Sequence, residues 1–150
     1  MKISQSGIDL LKQFEGLSLD AYQDSGGTWT IGYGQTYYED GKPVQPGDHI
    51  SLEQAYSLYA NILPRYEEIV NKHIGTLELT QNQFDALVSF AFNLGLANLK
   101  SSTLLKKVNV NPNDRTIVDE FLKWVYAKKV FLEGLHRRRQ AEANLYFKNI

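Results

Sequence analysis

The chain has no cysteine, which removes disulfide scaffolds, thiolate metal sites and thiol nucleophiles together. Its three histidines, His49, His73 and His136, are too scattered for metal-ligand spacing, and neither a metal nor any other cofactor is expected. No apolar run approaches the ~20 residues needed to cross a bilayer, so membrane insertion is not expected. The first residues, Met1-Lys2-Ile3-Ser4-Gln5, carry a charge but no apolar segment, and no secretory signal is read. With only 11 Gly and 4 Pro, low-complexity and collagen-like readings fall away.

What is present is ordinary for a globular protein: 43% hydrophobic residues, 22% charged, and a net charge of -1 over 150 residues. A chain of ~150 residues buries roughly 70% of its unfolded surface, enough for one domain with its own core. The charge is unevenly divided. Residues 1–120 hold 9 Lys/Arg against 15 Asp/Glu, net -6, and residues 121–150 hold 7 against 2, net +5. The basic end can meet a polyanion or form a solvated face with internal ion pairs. No nucleic-acid partner is expected, and the chain is expected to be a monomer.

Ser4 or Ser6 can cap a first helix with apolar Ile8, Leu11 and Phe14, ending near Glu15, with Gly16 at the usual C-terminal glycine position. From Leu17 to His49, Ser25-Gly26-Gly27 and Asp40-Gly41 punctuate short runs rich in Thr, Tyr, Trp and Ile, which reads as a small antiparallel sheet. Ser51 with Gln54, and Thr80 with Gln83, are capping boxes that open two longer helices. Pro64 inside the first of these predicts a kink or break near Leu63. The second, through Phe84, Leu87, Val88, Ala91 and Phe92 to Gly95, is the expected core helix. Shorter helices are predicted over 102–108, 114–126 and 135–145. The order is α+β, with strands near the N-terminus and a cleft expected between a small sheet lobe and a helical lobe.

Glu15 stands on the last turn of a helix, where the negative end of the dipole disfavours its ionised form. It suits a general acid; a solvated surface glutamate is the plain alternative. If residues 25–27 form a hairpin loop, Asp24 faces Thr28 and Tyr22 faces Thr30, so all four side chains share one sheet face and Trp29, Ile31 and Tyr33 take the other. An acid, a carboxylate and a hydroxyl gathered there can protonate a leaving oxygen and orient an attacking water.

The pattern Glu15-x8-Asp24-x5-Thr30, set in Phe14-Glu15-Gly16-Leu17 and Trp29-Thr30-Ile31-Gly32-Tyr33-Gly34, resembles the catalytic triad of the phage-type lysozymes, glycoside hydrolase family 24. Phe84-Asp85-Ala86-Leu87, Phe92-Asn93-Leu94-Gly95, Ser102-Thr103-Leu104-Leu105 and Gly134-Leu135-x-x-Arg138-Arg139-x-x-Glu142 resemble later motifs of that family in order. The likeness covers essentially the whole chain. It implies one lysozyme domain over 1–150, a β-containing lobe at 16–60 and a helical lobe at 1–15 and 61–150. It further implies hydrolysis of the β-1,4 bond between N-acetylmuramic acid and N-acetylglucosamine in peptidoglycan.

By position, the resemblance makes Glu15 the general acid, Asp24 the group that activates water or stabilises positive charge on the sugar, and Thr30 the holder of that water. Asn93 matches an amide lining the cleft, or an internal amide satisfying the backbone. Arg138 matches an arginine that reaches the catalytic glutamate, or an ordinary structural ion pair. Arg139 and Glu142 are expected to pack between lobes. Gly32 and Gly34 read as close backbone approach or bends in the strand, or as room for a sugar. Gln35 stands where the family commonly has His, which removes that residue's charge. Trp29 and Trp124 could stack on sugars or serve as core. A lytic transglycosylase needs only the acid, so Asp24 and Thr30 favour hydrolysis, and a non-catalytic wall-binding module would have lost Glu15 or Asp24. Without a leader or anchor, and with only 14 residues before Glu15, the resemblance implies a host-cytoplasmic endolysin that needs a holin or another membrane permeabiliser.

Overall fold

The computed structural model describes residues 1–24 and 26–149. The chain forms two compact units, residues 11–65 and residues 1–10 with 66–150. Its class is α+β: among the described residues, two small antiparallel sheets of two strands each, seven helices, and turns and irregular chain between them. Among the described residues, no helix is long and apolar enough to cross a membrane.

Helix α1 spans Gln5–Glu15. Ser4 caps it by accepting the Gly7 N–H at 3.3 Å, and Gly16, at φ +66°, closes it by donating to the Lys12 carbonyl at 3.1 Å. Its start is fixed by the fully buried Asp85, whose carboxylate accepts the Ser4 N–H at 3.0 Å and also the Ser4 hydroxyl. Gly7 lets the helix approach that close, since a Cβ there would lie 2.8 Å from Asp85 Cγ.

In the 11–65 unit, β1 (Ser18–Gln23) and β2 (Trp29–Gly32) pair antiparallel with Tyr22 opposite Thr30 and Gln23 opposite Trp29, as the two-residue period predicts. The register shifts between Ser18 and Tyr22, where β1 also bonds residues 48–50: Ala21 N–H donates to Asp48 O and Ile50 N–H to Leu19 O. Leu11, Ile31, Tyr33, Val44, Ile50, Ala55, Leu58, Tyr59 and Leu63 are its buried apolar residues among those described. Helix α2 spans Leu52–Ile74 and begins at the expected capping box, Ser51 and Gln54 bonding each other's N–H. Of the kink or break expected near Leu63, no break occurs; the helix runs on over Pro64. Ala60 and Pro64 are both exposed, so the carbonyl that loses its donor faces water rather than the core.

The other unit is organised on α3 (Gln81–Leu94), capped by Thr80 and Gln83 and buried without interruption from Gln83 to Ala91. Around it stand α4 (Leu96–Ser101), α5 (Thr103–Val110, capped by Ser102), α6 (Ile117–Leu122) and α7 (Glu133–Tyr146). Phe90 packs edge-on against Phe121 and Trp124, which makes Trp124 a core residue. The helix predicted over 114–126 is shorter than expected. It stops at Leu122, and Tyr126 begins β3 (Tyr126–Ala127), which pairs with β4 (Val130–Phe131) in a second hairpin the sequence did not announce.

Candidate active site

Glu15 is the last residue of α1 and is half-buried. Facing it is Gly34, at φ +88°, where an added Cβ would lie 2.7 Å from Glu15 Oε2. The turn carrying Gly34 is clamped from inside by the buried Gln35 side chain, whose Oε1 accepts the Tyr33 N–H at 2.8 Å and whose Nε2 donates to the Tyr33 carbonyl at 3.2 Å. Outside, the Tyr33 and Tyr56 rings stack at 6.1 Å, and the Lys12 ammonium lies 5.6 Å and 5.0 Å from the two centroids.

Asp24 is exposed at the end of the hairpin. Its Oδ1 accepts the N–H groups of Gly26 at 2.8 Å and Thr28 at 2.9 Å, and its own N–H donates to the Thr28 carbonyl at 2.9 Å. The aspartate therefore holds the turn from an exposed position. Ser25, in the same loop, lies outside the described residues.

Thr30 is buried and donates its hydroxyl proton to the Thr28 carbonyl at 2.9 Å. With its proton committed, its oxygen can only accept further bonds. Opposite it, Tyr22 feels both carboxylates. Burial first, then the charges of Glu15 and Asp24, raise the Tyr22 phenol above its ordinary pKa. The hairpin thus brings Tyr22, Thr30 and Asp24 together beside Glu15. Tyr22 had no assigned site role in the sequence, although it sits one two-residue step from Asp24 on the same strand face, and at Gly34 it is the close approach of the acid that the missing side chain permits.

Gly32 marks a close approach inside the unit. It is buried, and a Cβ there would meet Gln35 Oε1 at 2.9 Å and Ile50 Cδ1 at 3.7 Å, so its space is taken by the internal amide and the core. Two surface depressions of about 310 and 400 Å³ in this unit centre on Tyr38, Glu39 and Leu58, and none of Glu15, Asp24 or Thr30 lines them.

In the other unit, Arg138, Arg139 and Glu142 are buried between α7 and α3. Arg139 Nε lies 2.8 Å from Glu142 Oε1, Arg138 Nε lies 3.3 Å from Oε2, and Ser89 Oγ donates to Oε2 at 2.5 Å. Asn93 Oδ1 accepts from Arg139 Nη2 at 2.8 Å, so its carbonyl serves the ion-pair network. Arg139 and Glu142, expected to pack between lobes, are interior residues of the helical unit, where each charge needs the others.

A model of the phage lysozyme family matches residues 12–142. The endolysin of Acyrthosiphon pisum secondary endosymbiont phage 1 is 41% identical over 150 residues, covering 97% of this chain and 98% of that protein. The endolysin of Bacillus phage B103 is 43% identical over 148 residues, covering 97% of this chain and 54% of that protein, so the chain spans about half the length of that relative. Among solved structures, an endolysin from Escherichia coli O157:H7 phage FAHEc1 matches with a TM-score of 0.89 and 38% identity, covering 100% of this chain and 96% of that one. The chain belongs to the phage lysozyme family of peptidoglycan-hydrolysing enzymes.

Proposed function

We propose that Glu15, Asp24 and Thr30 carry out the hydrolysis, with Glu15 as general acid, in one domain formed by residues 1–150. The observation that supports this most is the gathering of Tyr22, Thr30 and Asp24 on one hairpin, with the Tyr22 phenol in the field of both carboxylates. Glu15 gives its proton to the glycosidic oxygen as the bond from that oxygen to the muramic C1 breaks. Positive charge then builds on the sugar ring, and the ionised Asp24 stabilises it or takes the proton of the attacking water. Thr30, whose own proton is held by Thr28, accepts a hydrogen bond from that water and so aims its lone pair at C1. The substrate bond is the β-1,4 link between N-acetylmuramic acid and N-acetylglucosamine. The monomeric enzyme waits in the host cytoplasm for a holin or similar permeabiliser to open the way to the wall.

Mass spectrometry of soluble products from purified sacculi tests this reading with the wild type and Glu15→Gln. Reducing muramic ends that disappear with Glu15→Gln are expected. Anhydro ends would make the enzyme a transglycosylase, and undiminished release by the variant would remove Glu15 from the acid role.

A further inference from the structure

We propose that the hairpin of β3 and β4 is a second contact surface for peptidoglycan, taking sugar faces on its exposed rings and stem-peptide carboxylates on Lys128 and Lys129. The inference rests on the muramidase reading above and adds a wall contact outside the catalytic residues.

Exposed apolar side chains gather on this hairpin. Tyr126, Val130, Phe131 and Leu132 are 61%, 59%, 47% and 39% exposed, four of the eleven large hydrophobics that face solvent among the described residues, within seven positions. They are also pre-arranged. Tyr126 and Phe131 are ladder partners with ring centroids 6.1 Å apart, and Phe131 lies 5.6 Å from the His136 ring. Ordered aromatic faces of this kind bind flat, apolar sugar surfaces with little further loss of freedom.

The turn supplies the charge. Lys128 and Lys129 have φ 50° and 66°, a left-handed conformation that two-residue hairpins usually give to Asn or Gly. Folding alone favours glycine there, yet the chain places two ammonium groups at the tip, and among the described residues neither has an ion-pair partner. Three other cations of this basic end are compensated: Arg138 and Arg139 by Glu142, and Lys123 by Glu120 at 2.7 Å. The excess positive charge of residues 121–150 therefore reaches solution partly through this turn. A bilayer anchor would carry its apolar residues at the tip. Here the ammonium groups lead and the rings follow, which matches a sugar polymer bearing carboxylates.

The test uses full-length Glu15→Gln protein, sacculi freed of teichoic acid, and sedimentation on ice. Replacing both lysines, Lys128→Gly with Lys129→Gly, removes the charges and the strained conformation together. The expected result is an unchanged or higher melting temperature with retention on sacculi about tenfold weaker at low salt. That difference should shrink at high salt, whereas Phe131→Ser should weaken retention at every salt concentration. Lys100→Gln with Lys106→Gln removes the same net charge from another exposed surface and should leave retention intact. Equal retention of the glycine variant, or an equal loss in the Lys100 and Lys106 control, would overturn the proposal. So would hairpin-dependent binding to anionic vesicles without binding to sacculi, or a hairpin-dependent dimer in gel filtration. Muropeptide release by the Glu15→Gln parent would count against the acid assignment alone, because retention on ice still decides the hairpin.

Discussion

Glu15 Oε2 stands 2.7 Å from the point at which a side chain on Gly34 would begin. The carboxylate is thus placed by an absence, and by a turn that the Gln35 amide and the Lys12–Tyr33–Tyr56 stack hold in position. Gly34→Ala should move Glu15 and lower kcat by about 100-fold, the scale associated with a displacement near 1 Å. It also strains a backbone at φ +88°. Gly47→Ala separates the two effects, since Gly47 has φ +84° with nothing within 4 Å of its Cβ position. Both variants should melt earlier, and only Gly34→Ala should lose turnover. Equal activities would show that Gly34 does not position the acid.

Asp24 holds its turn through Oδ1 and is the proposed source of negative charge at the reacting sugar. These roles come apart by substitution. Asp24→Asn keeps an acceptor oxygen for the Gly26 and Thr28 N–H groups and removes the charge, so kcat should fall by about 100-fold or more with little change in melting temperature. Asp24→Ala removes both and should lower activity and stability together. If the asparagine variant hydrolyses sacculi at the wild-type rate, the charge is supplied by another group.

Much of this was legible because the signals were local. The capping boxes at Ser51 and Thr80, the terminal Gly16 and the Tyr22–Thr30 register each depend on residues a few positions apart, and the structure contains all four. The β3–β4 hairpin was hidden because Lys128-Lys129 carries no turn signal; its left-handed backbone goes against residue preference. Pro64 does not break α2, because the local rule ignores where the orphaned carbonyl points. At the site, spacing suggested Glu15, Asp24 and Thr30, but the roles of Gly34 and Gln35 depend on which atom fills a glycine's missing volume, a fact of tertiary packing alone. Gly32 and Gly34 look alike in sequence, and one faces an internal amide while the other faces the acid.

The Tyr38–Asp48 pair gives the 11–65 unit a pH dependence on both flanks. Tyr38 donates to Asp48 Oδ2 at 2.7 Å, and the Gln45 N–H adds a bond at 2.9 Å. The Tyr38 bond, then that of Gln45, lowers Asp48 below its ordinary 3.8, so its contribution is present above that value and lost as pH falls through the folded-state pKa. Tyr38 is pushed up from 10.0 to about 12, by burial first and then by the Asp48 bond and charge. Its contribution is full below pH 10.0 and fades as pH rises towards 12. Tyr38→Phe should therefore flatten melting temperature against pH on both flanks. A variant curve parallel to the wild type across both ranges would show that the pair does not set them.

Pro64 offers a stability gain away from the site. In the interior of α2 it denies the Ala60 carbonyl a donor, and proline there is about 3 kcal/mol less favourable than alanine. Part of that is offset because proline also restricts the unfolded chain, by about 0.4–1 kcal/mol. Pro64→Ala should then stabilise the fold by about 2 kcal/mol, read as a higher urea midpoint at unchanged m. The exposed positions of Ala60 and Pro64 set the sign, because the new methyl group meets water rather than a packed neighbour. A lower midpoint would mean that the proline shapes the helix in a way its neighbours require.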